Sequence, residues 1–172
     1  MKNDNKRSRY FSNSGIGQDI VMTKWVGLKG TSIIARKKEE ELLGRYNRSF
    51  IEEAKSFNDY VSVDKEIQIA REVGVTFMQE VAEGGIFRTL WEMGNELKKG
   101  FEVDINKILL RQETVEVCEF YKINPYMLSS SGSMIMVTDK AYYLVERLLS
   151  KGITAAVIGW IINSNGRIII NG

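Results

Sequence analysis

The feature that most constrains the fold is a pair of glycine-marked switches, at which a short strand-like run passes directly into a helix-like one. Ile20 to Val26 alternates apolar and polar side chains around Trp25 and meets Gly27-Leu28-Lys29-Gly30-Thr31. Val75 to Val81 runs into Glu83-Gly84-Gly85, after which Ile86, Phe87, Leu90, Trp91 and Leu97 keep helical spacing up to Lys98. A side-chain period near two that changes to one near 3.6 across a glycine predicts a strand entering a helix.

The same two periods organise the rest of the chain. The first helix runs to Gly44, and Ser49-Phe50-Ile51-Glu52 forms a capping box for a second, with Phe50, Ala54 and Phe57 on its inner face. Asp64 caps a short helix with Ile67, Ala70 and Val73 inward, closed by Gly74 in the left-handed conformation. Gly100 stops the helix after Gly85, and Phe101, Val103 and Ile105 then alternate with Glu102 and Asp104, as a strand with one dry and one wet face does. Glu113 to Tyr121 is helical up to Asn124-Pro125, and the apolar run Ser133 to Val137 predicts a strand covered on both faces. Asp139 opens a helix with Ala141, Leu144, Val145 and Leu148 inward. The last strands are Thr154 to Ile162 and Arg167 to Ile170, joined by a hairpin turn at Asn163 to Gly166 with positive φ at Asn165-Gly166. The expected fold is α/β (α+β): one mixed-sheet sandwich with helices on its faces. Residues 1–17 are polar and basic and read as a flexible leader, leaving 18–172 as the domain.

Composition removes several functions. With no histidine in 172 residues, Ser-His-Asp and Cys-His nucleophile pairs and histidine-ligated metals are excluded, and the single Cys118 cannot build a zinc site. Cys118 lies between Val115 and Tyr121 on a helix and reads as a small buried hydrophobe. One cysteine and no signal-like leader point to a reducing cytoplasm. The longest apolar stretch, Ile153 to Ile162, is about half the roughly 20 residues a membrane span needs. The net charge is +2, of which Lys2, Lys6, Arg7 and Arg9 against Asp4 supply +3, so the body stands at −1 and carries no basic face for nucleic acid.

Three segments offer anion-binding chemistry. Gly27 to Gly30 and Gly84-Gly85 sit at strand-to-helix junctions, where backbone N–H groups and a helix N-terminus attract a phosphate. Neither is a P-loop or dinucleotide fingerprint, and a tight turn that needs glycine's backbone freedom is the simpler account of each. Ser130, Ser131 and Gly132 add hydroxyls and a flexible loop, with a solvated loop as the alternative. Glu80 and Glu83 bracket the Gly84-Gly85 turn as candidate acid-base or metal-positioning groups, or as stabilisers of the helix dipole. Lys24 either neutralises a bound anion or covers apolar surface with its stem.

Three stretches together resemble one family: Gly17-Gln18-Asp19-Ile20 through Lys24-Trp25 to Thr31; Glu83-Gly84-Gly85-Ile86-Phe87 with Leu90-Trp91-Glu92; and Arg111-Gln112-Glu113-Thr114 through Ser130-Ser131-Gly132-Ser133-Met134. They are similar to the C-terminal domain of AIR synthase-related proteins, the superfamily of aminoimidazole ribonucleotide synthetase, hydrogenase expression/formation proteins of the HypE type, selenophosphate synthetase and thiamine-monophosphate kinase. The resemblance implies an ATP-using superfamily of two-domain members. In these the N-terminal domain supplies dimerisation and the magnesium and nucleotide residues, and the C-terminal domain closes the cleft with its Gly-Gly turn. It further implies that this chain is the second domain alone, with no tightly bound cofactor of its own. ATP and magnesium would come through a separate N-terminal-domain protein, with homodimerisation or a small phosphate ligand as the other expected associations. Whether the chain is itself an enzyme stays open. Members of the hydrogenase-maturation type show Asp-x-Thr before the Gly-Gly, often after a histidine; here Gln79, Glu80 and Ala82 occupy those positions, and the chain ends Ile170-Asn171-Gly172 without a cysteine. These departures support the alternative of a non-catalytic structural or interaction protein that self-associates.

Overall fold

A computed structural model describes residues 9–10 and 15–171. Its centre is β2 (Asp19–Thr23), flanked antiparallel by β5 (Met134–Thr138) and β6 (Ala155–Ile162), with Ile20 opposite Val137 on one side and Gly159 on the other. β3 (Phe77–Glu80) pairs with β5, and Arg9–Tyr10, within the segment expected as leader, forms a two-residue β1 against β3. The remaining leader residues lie outside the described ones except 15–17. Beyond β6 come β4 (Gly100–Asp104) and β7 (Arg167–Ile170), giving a seven-stranded sheet in the order β1-β3-β5-β2-β6-β4-β7.

The expected final hairpin does not form. β4 inserts between β6 and β7, and β7 runs parallel to β4, with Phe101 opposite Arg167. The connection steps over the start of β4, where Phe101 N–H donates to Gly166 O, and neither Asn165 nor Gly166 has positive φ. That crossing also explains Gly100, whose added Cβ would lie 2.2 Å from Gly166 O. The preceding helix is ended instead by Lys98, at φ 52°.

The strand period sorts side chains onto two dry faces. Ile20, Met22, Phe77, Ile135, Val137, Phe101 and Val103 point to α5 (Gly85–Leu97), meeting Ile86, Leu90 and Met93. Val21, Met78, Met134 and Met136 point to α4 (Asp64–Val73) and α7 (Ala141–Leu149). Each large side chain buried this way stabilises the fold by about 1.5–3 kcal/mol. β5 is buried at every residue, as its apolar run predicts. A third layer was not foreseen: α1 (Leu28–Lys37), α2 (Glu39–Leu43), α3 (Arg48–Ser56) and α6 (Gln112–Tyr121) pack on one another through Ala35, Leu42, Ile51, Ala54 and Val117. Trp25, Leu28 and Phe57 connect this helical lobe to the sheet.

Several local expectations are corrected. The helix expected to reach Gly44 breaks at Lys38, whose φ of −119° is not helical. Asn47, not Ser49, caps α3 by accepting from Phe50 N–H, and Val63 precedes α4 at its cap while Asp64 is the first helical residue. Trp91 is 57% exposed, because successive helical residues diverge by about 100° and Leu90 already occupies the sheet-facing position. No helix of the described residues is long and apolar enough to cross a membrane.

Candidate functional site

Both glycine junctions start helices as expected. Gly27 (φ 70°) precedes α1, and Gly84 (φ 90°) with Gly85 (φ 70°) opens α5; no side chain caps either helix. One segment, Pro125 to Ser133, covers both. A Cβ on Gly85 would stand 2.2 Å from Tyr126 O, and one on Gly30 would stand 2.3 Å from Leu128 Cγ. Phe87 stacks on Tyr126 at 5.3 Å and fixes the first turn of α5 against this segment. At α1 the backbone donors are engaged internally: Gly27 N–H donates to Ser130 Oγ (2.7 Å) and Gly30 N–H to Ser129 O (2.9 Å). Glycine at 30 and 85 therefore makes room for protein backbone and Leu128, and the α1 terminus is covered from within.

Lys24 is 7% exposed and sits at φ 56° just past the end of β2. Its ammonium donates to the carbonyls of Tyr60 (2.7 Å), Ser62 (2.7 Å) and Gly132 (3.0 Å) and lies 2.7 Å from Glu66 Oε1 of α4. Glu66 is 1% exposed and completes a buried ion pair that the sequence reading missed. In sequence it is one acid among many on an amphipathic helix, and only the non-local approach of Lys24 distinguishes it. Gly132 links this cluster to β3, since its N–H donates to Glu80 Oε1 (3.1 Å). Lys24, Glu80 and Gly132 thus converge, around a backbone junction.

Glu80 and Glu83 do not bracket one site. Along β3, Phe77 and Gln79 face α5, where Gln79 Nε2 donates to Glu92 (2.8 Å), while Met78 and Glu80 face α4. Glu80 is buried and lines a cavity of about 380 Å3 with Val61, Ser62, Asp64, Ile67 and Met134. Glu83 is exposed beside the Gly84-Gly85 turn, and Ser131 is half-buried. Gly84 stands over the flexible Arg88 side chain. Burial pushes the Cys118 thiol up to about 11, so it is protonated at neutral pH and packs as a hydrophobe. Among the described residues no cluster of three His, Cys, Asp or Glu is placed to hold a metal ion.

A mixed seven-stranded sheet with helices on both faces, two glycine-started helices and one covering loop define an α+β domain. The chain belongs to the family described as "AIR synthase related protein, C-terminal domain", which matches residues 15–171. It is 20% identical over 121 residues to carbamoyl dehydratase HypE of Rhizobium leguminosarum bv. viciae, covering 70% of this chain and 33% of that protein. The crystal structure of E. coli HypE superposes with a TM-score of 0.75 at 18% identity, covering 93% of this chain and 49% of the other. T. maritima PurL, solved in complex with ATP, superposes with a TM-score of 0.61 at 19% identity, covering 97% and 25%. The chain spans about half the length, or less, of these proteins.

Proposed function

We propose that this chain is the turn-bearing half of an AIR synthase-type, ATP-dependent assembly. In this reading it closes over a phosphate-bearing ligand whose nucleotide and magnesium are held chiefly by a separate N-terminal-domain protein, in the cytoplasm. The observation that carries it is the Gly84-Gly85 end of α5. It has no side-chain cap, its Gly85 N–H reaches only Ala82 O (3.2 Å), it is left-handed at both glycines, and it is held by Tyr126 and Met127 while Glu83 beside it faces solvent. The positive end of a helix of this length favours an anion in its first turn. The ATP complex of the PurL relative supports the ligand class. Gly27, Gly30 and Ser130, with their donors engaged, and Lys24, bound to Glu66, support the turn from behind; Ser131 and Gly132 belong to the same supporting loop.

A second reading, a non-catalytic interaction module, is favoured by Ala82, which has no hydroxyl beside the turn, and by Gln79, which is tied to Glu92.

Thermal-shift titration tests the proposal. ATP, ADP and inorganic phosphate, each with and without magnesium, are added to the chain alone and mixed with an N-terminal AIR synthase domain. At a hundredfold excess over Kd a ligand binding only the folded state stabilises by about 2.7 kcal/mol, a rise in Tm of roughly 5–10 °C for a domain of this size. Glu83→Lys reverses a charge at the turn, worth about 1 kcal/mol at ~7 Å in water, and should tighten phosphate roughly fivefold. No shift with millimolar ligand, in either mixture and with either residue at 83, would refute ligand closure.

A further inference from the structure

Five of the fourteen large apolar side chains that the described residues leave exposed lie at one end of the sheet. Two of its three tryptophans are there: Trp91 (57% exposed) on the outside of α5 and Trp160 (37%) on β6. Ile168 (41%), Ile169 (39%) and Ile170 (38%) of the edge strand β7 complete the set, Ile169 on the α5 side of the sheet with Trp91, and Ile168 and Ile170 on the other side with Trp160. On its inner side β7 pairs with β4, and among the described residues no strand pairs with its outer side. Edge strands in stable proteins usually carry a lysine, proline or bulge that blocks further pairing. Arg-Ile-Ile-Ile carries none of these, and its one cation is held by its own domain: the Arg167 guanidinium lies 3.5 Å from the Trp91 ring centroid and donates to Asn95.

The backbone register says what fits this edge. Phe101 N–H of β4 donates to Gly166 O, so the alternation of a parallel ladder turns positions 166, 168 and 170 toward β4. The N–H and C=O groups of Arg167, Ile169 and Asn171 then point outward. That set is symmetric about Ile169. An antiparallel copy of the same strand places Ile169 opposite Ile169, Ile168 opposite Ile170, and Arg167 opposite Asn171, with outward donors facing outward acceptors at each hydrogen-bonded pair. No like charges meet across such a ladder. On the face away from α5, Glu102 separates Trp160 from Ile168 and Asp104 stands beside Ile170 in the register, so the apolar contact across the ladder is made by Ile168 and Ile170 of the two copies alone.

From this self-complementarity we infer that β7 is an isologous dimer interface, joining two copies of the chain into one continuous sheet about a two-fold axis at Ile169. The interface lies at the opposite end of the sheet from β3 and is independent of ligand closure at Gly84-Gly85, so either can fail without the other.

Sedimentation equilibrium of the full chain is the test. The wild type should sediment at about 39 kDa, twice the 19.6 kDa of one chain. Ile169→Lys and Ile169→Glu each set two like charges face to face and should weaken the dimer at least tenfold, whereas an equimolar mixture of the two variants should recover it as a heterodimer. Loss of folding alone would not produce that recovery. Amide exchange on the wild type gives a second readout that needs no variant: Arg167 and Ile169 should gain protection as concentration rises while Ile168 and Ile170 do not change. A wild-type monomer up to millimolar concentration, including one whose edge is filled only when a foreign strand is added, overturns the inference. So does a dimer indifferent to both substitutions, or exchange at Arg167 and Ile169 that does not depend on concentration.

Discussion

Alanine in place of three left-handed glycines separates backbone strain from the contact that locks the Gly-Gly turn. Gly74 (φ 81°), Gly84 (φ 90°) and Gly85 (φ 70°) all occupy a region that costs an L-residue about 1–2 kcal/mol. Their surroundings differ. A Cβ at Gly74 meets nothing within 4 Å, and one at Gly84 meets Arg88 Cδ at 2.4 Å, the movable part of a long side chain. One at Gly85 falls 2.2 Å from Tyr126 O and 2.8 Å from Met127 Cα, and backbone cannot step aside without carrying the Phe87–Tyr126 stack with it. The stack is worth about 0.5–1.5 kcal/mol. Gly74→Ala should therefore cost about 1 kcal/mol, Gly84→Ala slightly more, and Gly85→Ala about 3 kcal/mol. For a domain of this size that separates falls in Tm of roughly 2–4 °C and 6–12 °C. Urea denaturation at constant m-value, with thermal scans beside it, gives the comparison. A Gly85→Ala loss no larger than that of Gly74→Ala would refute the argument that the 125–133 segment holds the turn by close packing.

Gly30→Ala and Leu128→Ala should each destabilise, yet the double variant should cost clearly less than their sum, because Leu128 Cγ is the atom that an added Cβ would strike at 2.3 Å; an additive cycle in urea would count against this contact. Lys24→Met leaves Glu66 charged in a site 1% exposed, together with three carbonyls that lose their donor, and should lower stability by about 3–5 kcal/mol by the same assay. Burial raises the Cys118 thiol from 9.0 to about 11, so the folded chain holds its proton where the unfolded chain loses it. Stability from this group is intact below pH 9 and falls as pH rises toward 11, and iodoacetamide at pH 8 should alkylate the native thiol about a hundredfold more slowly than the urea-unfolded one.

The sequence made legible what local periodicity controls. The wholly buried β5 and the inward set Ile86, Leu90 of α5 follow from side-chain spacing alone, as do the strand-to-helix junctions at Gly27 and Gly84. What escaped depends on partners distant in sequence. Asn165-Gly166 is a strong hairpin signal in isolation, but pairing with β4 about sixty residues earlier outweighs it, since β7 there gains a parallel ladder. Asn47 and Ser49 are both good caps, and the helix boundary that chooses between them is set by packing of Ile51 and Ala54. Glycine at 30 and 85 looks like a phosphate cradle from its flanks, and its steric partners Leu128 and Tyr126 lie far along the chain.

The same contacts decide what kind of motion could close the turn over a ligand. Pro125 to Ser133 touches the start of α5 through Tyr126, the start of α1 through Leu128 and Ser130, and both Glu80 and Lys24 through Gly132. The start of α5 cannot shift toward Tyr126 O, where even one added methyl has no room. Close-packed interiors transmit a load and do not absorb it. The turn is therefore preorganised, and under the proposed function any closing movement would carry the sheet, the helical lobe and the 125–133 segment together as one rigid body.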